Sequence, residues 1–413
     1  MRAMTFALFL AVALGIFTGA HLLIWARLIR DPGLGPAAAR AATAGLVVLW
    51  ASVPTSFWLG RILPPDHGRV LLLALNVWFG VLLWLVVGLL LADLILLCVR
   101  AGVQLTGSTF DPERRRLAAR VVAVTLLAAV GGAIPVAMRT ALAPVTVREV
   151  SVTLARLPAP LSGFTLVQLS DLHLGPTLRR PFIERVVSQV NALNPDAVVI
   201  TGDLVDGPVD SLRTIVDPLR GLEARHGVFF VTGNHEYYAG AEAWCRELEG
   251  MGLRVLRNER VALGEGDVAF ELAGVYDRDA EHHPGDGHRS DLAVALAGRD
   301  PSREVVLLAH QPRAVREALR HDVGLVLSGH THGGQIWPWP AFVRLQQPAV
   351  RGLFRFDPDG HRIRLRPGEA GEPGGTRLHV SPGTGFWGPP LRLGTRAEIT
   401  LLRLIAPAAG AAR

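Results

Sequence analysis

The sequence predicts an α/β domain preceded by an all-α membrane region, and two observations lead to this fold class. The first 145 of the 413 residues carry long runs of Leu, Val and Ala, whereas the remainder has the mixed composition of a soluble protein. In that remainder, short apolar runs alternate with stretches of helical periodicity, which is typical of a layered α/β architecture. The predicted organisation is a transmembrane region over residues 1–142, a soluble domain over 143–405 and a disordered tail over 406–413.

Four apolar segments in the first region are each about as long as the roughly 20 residues that cross a bilayer. The third contains Asp93 near its end, where a buried polar contact is expected and a transport site is the alternative. The first is also compatible with a cleaved signal peptide, although its apolar core is long for one. The four predicted transmembrane helices cover residues 4–26, 41–60, 70–99 and 117–137.

Arginine residues predict how this multi-pass region is oriented. The first and third loops carry eight arginines, and the opposite side carries five. Because basic residues concentrate in cytoplasmic loops, both termini and the soluble domain are expected to face away from the cytoplasm. The eight are Arg27, Arg30, Arg40, Arg100, Arg114, Arg115, Arg116 and Arg120, and the five are Arg2, Arg61, Arg69, Arg139 and Arg148.

Composition excludes several classes of function. All 42 basic residues are arginine, because the sequence contains no lysine. Mechanisms that require a lysine Schiff base or a phosphate-loop lysine are therefore excluded. The formal net charge of +6 is modest and lies largely beside apolar segments, so no nucleic-acid partner is expected. Cys98 lies in an apolar run and Cys245 on a predicted helix, so no disulfide is expected between them.

In the soluble domain, five predicted strands are each followed directly by polar residues that can bind metals. Because the carboxyl ends of parallel strands meet at one edge of a sheet, these residues are expected to share a site. Singly, each has a simpler explanation, such as an Asp that caps a helix or a His-x-His pair on the surface. The strands cover 165–169, 197–200, 228–231, 305–309 and 323–327, and the motifs after them are SDLHLG, TGDLVD, TGNHE, HQP and SGHTHGGQ. Further strands are predicted over 147–154, 268–272, 274–275 and 378–381, and helices over 181–193, 212–224, 241–251 and 314–320.

The order of these motifs resembles that of the calcineurin-like metallophosphoesterases, from about Val147 to Leu402. The strings are most similar to the bacterial membrane-associated branch, which includes phosphodiesterases and pyrophosphohydrolases that act on lipid-linked substrates. The resemblance implies a four-layer α/β/β/α sandwich. It also implies hydrolysis of a phosphodiester, phosphomonoester or pyrophosphate by a hydroxide that bridges two divalent metal ions. Ligands of Asp, Asn and His without Cys suit manganese, iron or zinc.

The resemblance assigns roles to eight residues. Asp203 would bridge the two metals, and His235 would be the catalytic residue that faces the substrate. Asp206 is expected to orient His235, and Glu236 to make a structural hydrogen bond. The ligands implied for one metal are Asp171, His173 and His332, and those for the other are Asn234, His310 and His330. The remaining histidines of this region, His282, His283 and His288, are expected to be solvated.

Two aromatic segments near these motifs carry open interpretations. Ile336–Phe342 is either a rim that docks at a membrane and admits a lipid phosphate or a part of the core. Gly383–Gly388 fits the G-x-G-x-x-G pattern, but Pro389 and Pro390 follow, so no helix can begin there to bind a pyrophosphate. This segment is expected to be a loop near the metal site. The alternative function is a membrane sensor or transporter with a metal-binding, non-catalytic domain, although the apolar segments contain little charge for transport.

Overall fold

The computed structural model describes residues 2–59, 69–105, 111–365 and 375–407. The chain divides into two compact units, one of Met1–Arg139 with Gly388–Leu391 and one of Thr140–Trp387 with Arg392–Arg413. The helices are α1 Arg2–Ile24, α2 Pro36–Leu59, α3 Arg69–Leu105, α4 Pro112–Leu142, α5 Arg180–Asn191, α6 Val209–Val216, α7 Asn234–Ala239, α8 Ala241–Gly250, α9 Leu292–Ala295, α10 Val315–Arg320 and α11 Pro340–Gln346. The strands are β1 Thr146–Thr153, β2 Thr165–Leu169, β3 Ala197–Thr201, β4 Val228–Val231, β5 Arg254–Val255, β6 Glu259–Glu265, β7 Val268–Gly274, β8 Val305–Leu308, β9 Leu325–Ser328, β10 Gly352–Phe356, β11 Arg362–Arg364, β12 Thr376–Val380 and β13 Glu398–Ile405.

The first unit is built mainly from the four long helices α1 to α4. Three helical stretches are long and apolar enough to cross a membrane: Ala11–Arg30, Val70–Leu105 and Glu113–Leu142. Helix α2 is not among them over its described length, and residue 60 of the predicted second segment lies outside the described residues. A count of four spanning helices therefore stays a prediction. Arg61 of the orientation count and residues 408–413 of the predicted tail also lie outside the described ranges.

A polar contact joins two helical segments of this unit. The Asp93 carboxylate on α3 lies 3.0 Å from Nε of Arg27, in the π-helical turn Trp25–Arg30 that continues α1. Arg27 also binds Asp31 at 2.7 Å. Asp93 therefore has the polar partner that its position in an apolar segment predicted.

The second unit contains two β-sheets. The six-stranded sheet has the order β1-β13-β2-β3-β4-β5, and the seven-stranded sheet has the order β11-β10-β12-β9-β8-β7-β6. Strands β2, β3 and β4 are parallel neighbours, and so are β8 and β9. The five polar motifs follow the carboxyl ends of these five strands. The sheets thus position the motifs as the sequence predicted.

Three buried apolar clusters account for the core of this unit. One combines residues of both sheets, including Val199 of β3 and Leu308 of β8. A second combines the first sheet with helices α5, α6 and α8, and a third combines the second sheet with α9 and α10. Because strand β3 is buried along its whole length, its sequence is a continuous apolar run rather than an alternating one.

Several predicted elements differ from the structure at their ends. The helix predicted over 212–224 is too long, since α6 ends at Val216 and a 3₁₀ turn covers Asp217–Gly221. Pro218 has no N–H to continue α-helical hydrogen bonding, which explains the early end. Helix α7, which begins at Asn234 inside the TGNHE motif, was not predicted. Neither were strands β5, β6, β10, β11 and β13.

Candidate metal centre

The seven predicted metal ligands come together from the five loops that follow β2, β3, β4, β8 and β9. Two groups within this set have ligand atoms within 4.8 Å of one another, and a third such group joins His173 and Asp203 to His235. Six of the seven side chains are buried, and His330 is half-buried. The seven are Asp171, His173, Asp203, Asn234, His310, His330 and His332.

Five of these residues have a left-handed backbone, which is uncommon for residues other than glycine. Their φ angles are 52° at Asp171, 45° at His173, 50° at Asp203, 69° at His330 and 51° at His332. Each such residue costs about 1 kcal/mol or more, so surrounding contacts must hold it in place. Backbone hydrogen bonds do so, since Asp171 N–H donates to the Gly202 carbonyl at 3.0 Å and His173 N–H to that of Asp203 at 3.1 Å.

Two glycines of the motifs allow the loops to approach one another closely. A Cβ at Gly233 would overlap both Oδ1 and the backbone nitrogen of Asp203. A Cβ at Gly329 would overlap the side chains of Ser170 and Asp171. Glycine is therefore required at both positions for the strand ends to converge.

The first half of the centre is formed by Asp171, His173 and His332. Nε2 of His173 lies 3.1 Å from Nε2 of His332, which lies 3.5 Å from Oδ1 of Asp171. Nδ1 of His173 lies 2.8 Å from Oδ1 of Asp206. Because a carboxylate only accepts hydrogen bonds, Nδ1 of His173 carries a proton and Nε2 is directed into the centre.

The second half is formed by Asp203, Asn234, His310 and His330. Nε2 of His310 lies 3.1 Å from Oδ2 of Asp203 and 3.2 Å from Oδ1 of Asn234. Nδ1 of His330 lies 3.0 Å from the same Asn234 oxygen. Nδ1 of His310 donates to the carbonyl oxygen of Thr201 at 2.7 Å, which directs Nε2 towards the two side-chain oxygens.

The arrangement of donors and acceptors fits cations in both halves. Oxygen and nitrogen lone pairs converge, and one Asp203 oxygen lies 3.1 Å from His310 and 3.8 Å from His173, between the two halves. Nδ1 of His332 is buried without a hydrogen-bond partner among the described residues. Imidazole, carboxylate and amide ligands without thiolate suit transition metals such as manganese, iron or zinc.

The electrostatics of the metal-free protein also favour positive charge here. Burial disfavours a charged imidazole, but Asp206 and Asp203 outweigh it and raise the pKa of His173 to about 9. The pKa of His310 is likewise raised, because Asp203 and Asp171 outweigh burial. Burial raises the pKa of Asp171, whereas His310 lowers that of Asp203 despite burial. Protons on His173 and His310 thus supply charge that a bound cation would supply instead.

His235 lies beside the ligand cluster rather than within either half. Its backbone N–H donates to Oδ1 of Asp203 at 2.8 Å, and its Nδ1 lies 2.7 Å from Oδ1 of Asp206. The imidazole is half-buried, and its ring centroid lies 4.6 Å from that of His173. The same carboxylate oxygen thus accepts from both imidazoles, and these outweigh burial to keep the pKa of Asp206 well below its usual range.

Comparison with known proteins identifies the family. A sequence model of the calcineurin-like phosphoesterases matches residues 164–334. A "transmembrane protein with metallophosphoesterase domain" from Danio rerio is 41% identical over 263 residues, which is 62% of this chain and 56% of that protein. The protein of the same description from Bos taurus is 40% identical over 321 residues, which is 75% of this chain and 67% of that protein. The chain belongs to the calcineurin-like metallophosphoesterase family.

Family membership confirms the resemblance that the motifs indicated, and the family consists of hydrolases of phosphoester bonds. A bacterial relative, an "uncharacterized metallophosphoesterase" from Helicobacter pylori strain 26695, is 37% identical over 260 residues, 63% of this chain and 64% of that protein. This relative supports the bacterial branch. This chain matches 56 to 67% of the length of these three relatives.

Glu236 stabilises the loops that carry the ligands of this metallophosphoesterase. Its buried carboxylate accepts hydrogen bonds from the backbone N–H groups of Gly233 at 2.6 Å, Asp203 at 3.0 Å and Leu204 at 2.8 Å. Burial, together with nearby Asp203, raises its pKa to about 7. The geometry corresponds to the structural hydrogen bonding that was expected of this residue.

One predicted solvated histidine is buried instead. His288 is 9% exposed, stacks on Tyr276 with ring centroids 4.1 Å apart, and places Nε2 3.1 Å from Glu242. The prediction for His288 is therefore wrong, because a loop rich in Gly and Pro folds its histidine back onto α7 and α8. His282 is exposed and His283 is half-buried.

Arg392 is a residue of the site region that the sequence did not reveal. Its guanidinium is fully buried and donates to the carbonyl oxygens of Pro382 at 2.9 Å and Gly385 at 2.5 Å. Burial lowers its pKa to about 10. The loop that it holds packs on the centre, since Gly385 N–H donates to the Asp171 carbonyl at 3.0 Å. No sequence motif signals this role, because the groups that accept hydrogen bonds from Arg392 are backbone carbonyls, which every residue has.

The same loop settles the G-x-G-x-x-G match. No helix follows β12 in the described residues 381–407, and the segment is a loop beside the metal ligands, as expected. A Cβ at Gly383 would lie 3.4 Å from Nδ1 of His332, which shows how near the loop comes.

Exposed aromatic side chains also lie near the centre. Trp337 is 62% exposed, Trp339 46% and Trp387 52%, so the interpretation of these tryptophans as core residues is wrong. Trp387 lies against His235 with ring centroids 5.6 Å apart. In contrast, Ile336 and Phe386 are buried. One exposed tryptophan, Trp387, therefore stands beside the proposed catalytic imidazole.

Proposed function

We propose that this protein is a membrane-anchored, metal-dependent phosphoesterase that hydrolyses a phosphodiester, phosphomonoester or pyrophosphate. The observation that carries the proposal is the pair of adjoining ligand groups that meet at Asp203, with His235 held beside them by Asp206. Family membership supports the same class of reaction.

In this proposal Asp203 would serve both metals. Asp171, His173 and His332 would hold one, and Asn234, His310 and His330 would hold the other. Two divalent cations bound there would lower the pKa of a coordinated water and neutralise the charge that builds on the phosphoryl oxygens. Manganese, iron and zinc all suit this ligand set.

His235 is proposed to act on the substrate. Hydrolysis adds a water oxygen to phosphorus and breaks the bond from phosphorus to the leaving oxygen, which then needs a proton. Since Nδ1 of His235 faces Asp206, its Nε2 is the nitrogen available to hydrogen-bond the phosphoryl group or to protonate the leaving oxygen. Asp206 would fix the orientation of the ring.

The architecture is inferred to be the four-layer sandwich of the family. The cluster shared by both sheets, flanked by one cluster with α5, α6 and α8 and one with α9 and α10, supports this layering. The apolar helices of the first unit are proposed to anchor the protein as a multi-pass membrane protein. The excess of arginine in the first and third loops supports a catalytic domain on the side away from the cytoplasm.

The substrate is proposed to be a lipid or lipid-linked phosphoester. Support comes from the exposed tryptophans Trp337, Trp339 and Trp387, since aromatic side chains with one apolar and one polar end are suited to a membrane interface. Trp337 and Trp339 follow the last two ligands by only a few residues, so substrate chains bound there would lie near the reacting phosphate.

The test of catalysis uses the full chain in detergent, stripped of metal and reloaded with Mn²⁺. Hydrolysis of an aryl phosphodiester, an aryl phosphomonoester and pyrophosphate is measured with and without the metal. We expect metal-dependent turnover of at least one of the three, unaffected by the control His361→Ala, whose side chain is 78% exposed. A folded, metal-loaded protein that hydrolyses none of the three would contradict this proposal. It would favour the alternative, a membrane sensor or transporter with a non-catalytic domain.

A further inference from the structure

A pocket within the first unit carries a ligand-binding inference that is independent of the proposed hydrolysis. It has a volume of about 610 Å³ and lies between the π-helical turn after α1, the later part of α3 and the beginning of α4. Charged side chains and apolar side chains both line it. The pocket therefore presents two chemical surfaces to one ligand.

The charged lining is strongly basic. It contains five arginines and two aspartates, so its formal charge is +3. The two aspartates are already engaged, since Asp31 lies 2.7 Å from Arg27 and 2.9 Å from Arg30, and Asp93 lies 3.0 Å from Arg27. The other arginines are Arg100 on α3 and Arg115 and Arg116 on α4.

The excess charge is concentrated on α3 and α4. Arg115 and Arg116 are exposed and make no ion pair within the part of the chain that the structure describes. Arg27, in contrast, is held in position by two carboxylates. Arg27 and Arg30 of the basic wall are thus held by carboxylates, whereas Arg115 and Arg116 can turn towards an anion. Guanidinium binds phosphate oxygens with paired hydrogen bonds.

The apolar lining indicates what kind of anion fits. Leu89, Leu97 and Val122 line the pocket and belong to stretches of α3 and α4 that are long and apolar enough to cross a membrane. Arginines at the ends of such stretches also set the orientation of the helices in the membrane. Setting the orientation does not require a concave pocket between three helical segments, whereas binding a ligand does. A zwitterionic lipid would leave the charge of +3 unchanged, whereas an anionic headgroup would lower it, and a free phosphate would leave the apolar wall without a partner.

We propose that this pocket binds an anionic phospholipid, with its phosphate on the arginines and part of an acyl chain along Leu97 and Val122. Basic pockets between membrane helices are suited to such headgroups. The site would be occupied by a lipid of the surrounding bilayer rather than by a substrate that is turned over.

The experiment uses the full chain purified in detergent and delipidated. Binding of phosphatidylglycerol, phosphatidylcholine and inorganic phosphate is measured by native mass spectrometry and by the shift in melting temperature. We expect phosphatidylglycerol to bind at least tenfold more tightly than phosphatidylcholine. Arg115→Gln with Arg116→Gln should weaken phosphatidylglycerol binding roughly thirtyfold, because each arginine near an anionic headgroup contributes about a fivefold factor.

Matched variants separate loss of binding from loss of folding. Arg114→Gln with Arg139→Gln removes the same charge from the same helix outside the pocket lining, so near-normal binding is expected. Arg115→Lys with Arg116→Lys keeps the charge but loses the paired hydrogen bonds, so its affinity should lie between that of the unaltered protein and that of the Gln pair. Equal affinity for both lipids, or equal losses in the Gln and Lys pairs, would overturn the proposal. Inorganic phosphate that competes fully with phosphatidylglycerol at equal concentration would overturn the lipid assignment as well.

Discussion

At the residue scale, Asp203 connects the two halves of the candidate centre. One of its oxygens faces His310 and His173, and the other accepts the backbone N–H of His235. Its own N–H donates to Glu236. Loss of the Asp203 charge would therefore affect the binding of metal, the position of His235 and the position of the loop together.

Asp203→Asn is expected to reduce kcat/KM more than His235→Ala and also to reduce the bound metal below two equivalents. The amide is a weak bridging ligand, whereas His235 is proposed to contact the substrate and no metal, so its loss should cost about 100-fold, as for a general acid. Metal content is measured by plasma mass spectrometry beside the kinetics, with Asp267→Asn on an exposed turn as the matched control. Two full equivalents of metal in Asp203→Asn would show that it does not bridge.

Protonation of His173 and His310 sets the pH dependence expected of the metal-free protein. Both folded-state pKa values lie above the ordinary value of 6.5, that of His173 at about 9. The resulting stability is fully present below pH 6.5 and is lost as pH rises through the folded pKa. Metal binding requires the deprotonated ligands, so the metal-loaded protein avoids this loss.

The difference in melting temperature between metal-loaded and metal-free protein should therefore grow from pH 6.5 to about 9. Thermal unfolding in detergent at several pH values within this window measures it. A difference that stays constant across the window would mean that these imidazoles are already neutral in the metal-free centre.

The clustering of the seven candidate ligands could be predicted from sequence, because they are side chains in compact motifs. Arg392 and the backbone carbonyls that it binds could not, since any residue supplies a carbonyl. His288 shows the opposite error, because composition alone does not reveal that a loop packs back onto neighbouring helices.

At the scale of elements, the centre depends on strand ends that approach within contact distance. The junction between β4 and α7 is the closest of these approaches to Asp203, and Gly233 occupies it. The pattern of strands in the sequence does not reveal how closely Gly233 approaches Asp203.

Gly233→Ala is expected to displace the Asp203 loop, lower metal affinity about 10- to 100-fold and lower the free energy of unfolding by about 1–3 kcal/mol. Metal titration and urea unfolding measure the two effects. Gly250→Ala is the matched control, because a Cβ there meets nothing within 4 Å. If Gly233→Ala has the same metal affinity and free energy of unfolding as Gly250→Ala, the Asp203 loop can accommodate a Cβ at Gly233 and the prediction is wrong.

The aromatic segment before α11 leads to a prediction about substrate. Trp337→Ala with Trp339→Ala should reduce hydrolysis of a phospholipid or lipid-linked pyrophosphate in vesicles about tenfold, since lost aromatic area weakens contact with the interface. Turnover of a small soluble ester should be nearly unchanged. Val294→Ala, an exposed apolar position on α9, serves as the control. Equal losses on both substrates with a lower melting temperature would contradict a role in lipid binding.

One strand that was not predicted, β13, has a clear physical reason. Strand β13 lies between β1 and β2, and its partner β1 is about 250 residues earlier in the chain. Such pairing depends on contacts that no local pattern contains. The predicted parallel strands, in contrast, carry continuous apolar runs that stand out by themselves.

At the scale of the whole molecule, the orientation of the membrane region decides which substrates the domain meets. The arginine counts of the loops favour a domain on the side away from the cytoplasm. This inference depends on the number of spanning helices, and hydropathy alone does not decide whether α2 crosses.

A reporter that is active only in the cytoplasm, fused after Arg413, is expected to be silent. A reporter that is active only outside the cytoplasm should give signal at the same position. Both are compared by activity per fused protein, with the same reporters on a cytoplasmic protein as the control. The reverse pattern would place the domain in the cytoplasm and change the pool of available phosphoesters.

The left-handed backbone at five ligand positions restricts which residues can be exchanged there. Asp, Asn and His are the residues other than glycine that most readily adopt this conformation, and all three also bind metals. Exchange among them changes the hardness and charge of a ligand without adding backbone strain. The metal preference of this centre can therefore drift by single substitutions that leave folding intact, whereas aliphatic replacements are opposed by both the backbone and the chemistry.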